Sequence, residues 1–150
     1  MGHTYFNLLI HVIFSTKDRQ PLIRADFAQR LHEYLCGLGR EEFGRAIKVG
    51  GAADHIHGLI SIRTDIAVAQ AMSRWKSLAT GWVHKTVAEA GDFAWQSGYG
   101  AFSVSQSNVG DVVKYIEKQA EHHARMTFQE EFMEFLRRHQ IEFDPEHVWD

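Results

Sequence analysis

Residues 54–62 read DHIHGLISI, and this stretch narrows the choice of fold more than any other. Its apolar and β-branched run has strand length and strand period. On a strand, side chains at i and i+2 share a face. Ile56, Ile60 and Ile62 then point one way, into a helix layer, while His55 and His57 point together the other way. The histidines are expected on the face away from the core. Two surface histidines are the plain reading, because the pair is short and ten histidines in 150 residues make coincidence easy. Half of a divalent-metal site, held rigid by the strand, is the sharper one.

The remaining patterns place this strand third among four. YFNLLIHVIFS (5–15) alternates, with Phe6, Leu8, Ile10, Val12 and Phe14 on one face. Asp26 is a candidate cap for a helix over 27–39, with Phe27, Leu31, Tyr34, Leu35 and Leu38 at helical spacing. GRAIKVGGAAD pairs with 55–62 as a hairpin about residues 50–54. The longest helical pattern carries Val68, Met72, Trp75, Leu78, Ala79 and Trp82, and Gly91 is its expected end. One or two short strands follow around a glycine-rich turn in FAWQSGYGAFSVS. Two helices then close the chain, one near 108–124 and one from 128. Thr127 and Glu130 form a possible capping box for the second, with Phe128, Phe132, Phe135 and Leu136 inward. Strand, helix, strand, strand, helix, strand is the ferredoxin-like order. The expected class is α+β: one domain over 1–150, an antiparallel sheet with helices on one face, and C-terminal helices appended.

Composition limits the partners. A formal net charge of −3 does not announce a nucleic-acid binder, though a local basic groove can work within an acidic whole. One cysteine, Cys36, excludes an internal disulfide, and its helical setting reads as packing. The N-terminal apolar stretch lacks a basic start and a cleavage site, and no run approaches a membrane span, so a cytoplasmic protein is expected.

A catalytic metal needs more than two imidazoles, and chemistry needs a nucleophile. The segment 108–124 offers both. Tyr115 and Gln119 are one turn apart on one face, beside the apolar stripe of Val109, Val112, Val113 and Ile116. The stripe docks the helix, leaving Tyr115 and Gln119 at its rim. Taken singly, an aromatic finishing a stripe and a solvated glutamine are the ordinary readings.

In order, the chain carries H-x-H (55–57), W-Q-x-G-Y-G (95–100) and Y-x-x-x-Q-x-x-H-H (115–123). With HVIFSTKDRQPLI and MSRWKSLATGWV, this series resembles the single-tyrosine HUH transposases of small insertion sequences over nearly the whole chain. The resemblance implies a metal, Mg²⁺ or Mn²⁺, on His55, His57 and Gln119. It implies Tyr115 as nucleophile on single-stranded DNA, giving a covalent 5′-phosphotyrosine and a free 3′-OH. It also implies hairpin recognition at element ends and a homodimer. Two other classes remain open: a hairpin-binding module that has lost catalysis, and a metal-dependent phosphodiesterase that uses water.

Candidate DNA contacts are Lys17 and Arg19 after the first strand, Arg74, Lys76 and Lys85 on the long helix, and Lys114 and Lys118 beside Tyr115. Each is more often a solvated charge. Trp75 and Trp82 read as core rather than stacking platforms. His11 reads as a satisfied sheet histidine rather than a neighbour of the pair. His122 and His123 have no assigned role. The glutamates of QEEFMEF are expected away from the DNA face.

Overall fold

The structure, a computed structural model, describes residues 2–150. Its elements are β1 (Leu9–Ser15), α1 (Ala28–Glu42), β2 (Gly44–Ala52), β3 (His55–Ile62), α2 (Val68–Thr86), β4 (Gly100–Val104), α3 (Val109–Glu117), α4 (Gln119–His122) and α5 (Phe128–Arg138). The four strands form one antiparallel sheet in the order β2-β3-β1-β4. This is the expected ferredoxin-like α+β arrangement.

Alternation sorts β1 and β3 onto two faces. Val12, Phe14, Ile56 and Ile60 meet Leu31 and Leu35 of α1 and Met72, Trp75, Ala79 and Val83 of α2. Each large apolar side chain buried here contributes about 1.5–3 kcal/mol relative to exposure. Trp75 is fully buried, and its indole Nε1 donates to the Leu35 carbonyl at 2.9 Å. Gly58 makes this approach possible: a Cβ there would lie 2.8 Å from the Trp75 ring.

The other face is covered too. Ile13 and Phe102 pack with Phe128 and Leu136 of α5, and Phe132, Phe135, Phe143 and Trp149 join them. The face expected away from the core is therefore a second, smaller core roofed by the C-terminal helices. His55 and His57 lie within it at 0% exposure.

Local expectations shift for identifiable reasons. The first strand starts at Leu9, not Tyr5, because β4 ends at Val104 opposite Leu9 and β3 at Ile62. Tyr5, Phe6 and Leu8 are exposed as a result. Asp26 does not cap α1; Phe27 holds that position, and Asp26 accepts from Arg24 Nε at 3.0 Å. α2 ends at Thr86 rather than Gly91 because Val87 turns extended and, with Ala90 and Phe93, enters the core. Arg24 then donates to the carbonyls of Ala88 and Glu89 beyond the helix end. The segment expected as one helix near 108–124 breaks at Lys118 into α3 and α4. The capping box of α5 forms as expected, with Glu130 N–H donating to Thr127 Oγ1 at 3.2 Å.

Candidate metal and tyrosine site

The hairpin register sets the foundation. Ile13 pairs with His57 and Ser15 with His55, and β2 and β3 are joined by the two residues Ala53 and Asp54. Both imidazoles thus project from a central strand braced on either side. α3 lies across the same face at close range. Gly50 of β2 permits this, since a Cβ there would stand 2.7 Å from the Ile116 carbonyl oxygen.

Tyr115, Gln119, His55 and His57, expected to act together, are brought together. His55 Nε2 lies 3.0 Å from Gln119 Oε1, and Gln119 is buried rather than solvated. Tyr115 is half-buried at the edge of the helix contact. Three further residues complete the cluster without having been expected there. His123 Nε2 is 3.0 Å from Gln119 Oε1 and 3.2 Å from Glu131 Oε1. Glu131 Oε1 is 2.9 Å from His57 Nε2, and its Oε2 accepts the Tyr115 hydroxyl. His11 is buried, with Nε2 2.8 Å from His57 Nδ1.

Two readings are corrected here. His11 belongs to the histidine cluster, because residues 11 and 13 of β1 face the same way and β1 neighbours β3. Glu131 of QEEFMEF is not on a remote acidic patch. α5 turns its inward stripe onto the sheet, and Glu131 rides on that stripe between Phe128 and Phe135. Its sequence signal was present but faint: position 131 follows Phe128 by three, so it shares the buried side.

Burial dominates the protonation of this cluster. It pushes His11 down to about 3, helped by His57, and His57 down to about 4, against the pull of Glu131. Glu131 stays well below the ordinary carboxylate range: its bonds to His57 and Tyr115 outweigh the cost of burial. Tyr115 is raised well above an ordinary phenol, first by burial and then by the neighbouring Glu131 carboxylate. At neutral pH this sets neutral His11 and His57 rings and a protonated tyrosine around a buried anion.

That arrangement fits a cation. Asp54 Oδ1 accepts from His55 Nδ1 at 2.7 Å, so Nε2 is the ring nitrogen turned inward. His57 can make the same use of His11, donating from Nδ1 and freeing Nε2. Glu131 Oε1 has imidazole nitrogens of His57, His123 and His55 at 2.9, 3.2 and 3.5 Å. One ligand atom from each of His55, His57, His123 and Glu131 lies within 4.8 Å of all the others. Lone pairs thus converge on a buried negative charge, which is the chemistry of a divalent-metal site.

The basic candidates divide between the two faces. Lys114 and Lys118 are exposed beside Tyr115. Lys17 is exposed, and Arg19 lies over the Trp149 ring at 5.3 Å. Asp18 and Arg19 both take left-handed φ, at 53° and 56°, and Gln96 Oε1 accepts the Asp18 N–H. Arg74 instead pairs with Glu42 at 2.6 Å in the helical layer. Lys76 Nζ donates to the Gln96 and Gly98 carbonyls at 2.8 and 2.9 Å, fixing the loop before β4. Lys85 is exposed on α2. Trp82 stacks on Tyr34, with ring centres 5.0 Å apart.

Two solved structures share this fold. One is a candidate transposase from Deinococcus radiodurans R1, 21% identical, with a TM-score of 0.58 over 79% of this chain and 96% of the other. The second is a REP-associated tyrosine transposase bound to a REP hairpin, 13% identical, with a TM-score of 0.58 over 84% of this chain and 74% of the other. No curated protein matches the chain significantly. Sheet order and neighbours together define the α+β fold. A family model described as "Transposase IS200 like" matches residues 4–119, and the chain belongs to that family.

Proposed function

We propose that the protein cleaves and rejoins single-stranded DNA through a covalent bond to Tyr115. The observation that carries this reading is the placement of Tyr115 on α3 and Gln119 at the start of α4 against the buried pair His55 and His57. Binding alone needs none of these four. A hairpin-binding module would keep surface charge and could lose the buried cluster.

In the reaction, the Tyr115 oxygen forms a bond to phosphorus and the bond from phosphorus to the 3′ oxygen breaks. The products are a 5′-phosphotyrosine and a 3′-OH, and attack by a second 3′-OH reverses the step. The bond energy is retained throughout, so no nucleotide cofactor is required. A divalent ion, Mg²⁺ or Mn²⁺, on His55, His57 and Gln119 would polarise the phosphate and offset the Glu131 charge that keeps the phenol protonated. The carboxylate of Glu131 accepts a hydrogen bond from the Tyr115 hydroxyl, which orients the phenol oxygen. Asp54 and His11 orient the two imidazoles.

Hairpin recognition comes from likeness to the hairpin-bound neighbour. Lys114 and Lys118 flank the tyrosine, and Lys17 and Arg19 stand on the strained loop after β1; these four are the proposed phosphate contacts. Arg74 and Lys76 are weaker candidates because their partners are within the protein. A cytoplasmic homodimer completes the reading. Among the described residues no helix is long and apolar enough to cross a membrane.

The test uses purified protein, Mg²⁺ or Mn²⁺, and labelled single-stranded DNA from the flanks of the gene. A denaturant-resistant protein–DNA band is expected, and it is lost in Tyr115→Phe and in His57→Ala. Cleavage that survives Tyr115→Phe would point to water as nucleophile. Binding without any adduct would point to a hairpin-binding module.

A further inference from the structure

We propose that the metal centre is larger than the His55–His57–Gln119 set: His123 and Glu131 are ligands, making a site of three imidazoles and one carboxylate. Such a site selects a late first-row ion such as Zn²⁺ or Co²⁺ over Mg²⁺. The assignment rests on the proposed metal at this cluster, but not on the tyrosine chemistry.

Geometry carries the argument. Glu131 Oε1 stands 2.9, 3.2 and 3.5 Å from the Nε2 atoms of His57, His123 and His55. Three ring nitrogens around one carboxylate oxygen are too many for three well-shaped hydrogen bonds. All four ligand atoms fall within 4.8 Å of one another, so small side-chain shifts would draw them around one ion with bonds of roughly 2.0–2.2 Å. The His55 and His123 rings are 4.4 Å apart, so the third imidazole is already packed against the first. Gln119 Oε1 lies between them, 3.0 Å from each Nε2, as a fifth donor or as the residue that spaces the rings.

Ligand type sets the ion. Mg²⁺ favours oxygen donors and retained water, whereas imidazole-rich sites favour later metals. Both added ligands lie beyond residue 119, where the family match ends. They are supplied by the C-terminal cap of α4 and by α5, the segments that roof the second face of the sheet. Glu131 also has two jobs in one carboxylate: Oε1 faces the imidazoles while Oε2 holds the Tyr115 hydroxyl.

The test measures metal binding directly on the chelator-stripped full chain, without DNA. Calorimetric titrations with Zn²⁺, Co²⁺ and Mg²⁺ are read together with the visible absorption of the Co²⁺ form. Zn²⁺ and Co²⁺ are expected to bind at least about a hundredfold more tightly than Mg²⁺. Glu131→Gln keeps shape and a hydrogen-bond acceptor for Tyr115. His123→Asn alters a half-buried residue at the end of a short helix. Each is expected to weaken Co²⁺ by about tenfold or more and to change its spectrum, with the far-ultraviolet circular dichroism unchanged. Unaltered Co²⁺ affinity and spectrum in both variants would overturn the assignment. So would Mg²⁺ binding as tightly as Zn²⁺. A DNA adduct formed while both variants bind Co²⁺ normally would sink this assignment and leave the tyrosine reading standing. Weakened Co²⁺ binding in both, with no adduct in the wild type, would support the assignment and remove the tyrosine reading.

Discussion

His11 stands behind the histidine pair and braces it. Its Nε2 is 2.8 Å from His57 Nδ1, so it fixes the tautomer and tilt of that ring as Asp54 does for His55. His11→Ala should leave the sheet intact and weaken metal binding by about tenfold to a hundredfold, measured by competition with a coloured chelator. An unchanged affinity would mean that packing alone orients His57. His32 on α1 gives a cleaner acid–base test, because it lies outside the cluster. Among the described residues its Nε2 is the one buried side-chain polar atom without a partner. Burial, and then the Lys48 charge, lower its pKa from 6.5. The unfolded chain therefore binds a proton that the folded chain resists, so this contribution is present above pH 6.5 and lost as pH falls. In metal-free protein, urea midpoints should fall on acidification from pH 7, and His32→Leu should flatten part of that fall. An identical slope in the variant would refute the assignment. The slope that remains has an evident source in His11 and His57, whose pKa values are lowered as well.

At the scale of elements, the contact between α3 and β2 decides where Tyr115 stands. Gly50 has no side chain, and a methyl group there would sit 2.7 Å from the Ile116 carbonyl and 2.8 Å from its Cγ2. Backbone cannot yield as a flexible side chain would. Gly50→Ala should cost about 1–3 kcal/mol of stability and shift Tyr115 with its helix. Adduct yield should then fall while the metal affinity of the β3 histidines changes less. Equal losses in both would place the damage in the sheet itself. The elements were also the most legible part of the sequence. Period-two runs gave β1 and β3, and the Thr127–Glu130 pair marked the start of α5. Boundaries moved where partners ran out, as at Tyr5, or where a core position outside the helix competed, as at Val87.

Across the whole molecule, both faces of the sheet are packed, and this was the least legible feature. His55, His57, Tyr115 and Gln119 could be singled out because strand and helix spacing are local rules. Glu131 and His11 could not, since their roles depend on which element lies opposite them. An acidic residue in QEEFMEF looks solvated until α5 is docked on the sheet. The Phe128, Phe132 and Phe135 stripe predicted an inward face, but not that a carboxylate would share it. Arg74 and Lys76 show the same limit from the other side. Their charges were visible, while their partners Glu42, Gln96 and Gly98 were set by packing.

The cluster joins residues far apart along the chain: His11 meets His57 across 46 positions, and His57 meets Glu131 across 74. On a ribosome, β1, β2, β3 and the first two helices can emerge and begin to pair before Glu131 has been synthesised. Until α5 arrives, β3 presents its imidazoles without the Glu131 carboxylate and without the roof that excludes water. Assembly of the cluster is therefore a late event in the life of each chain, set by the order of synthesis. A nascent or C-terminally clipped copy would carry the histidine pair on an open sheet face.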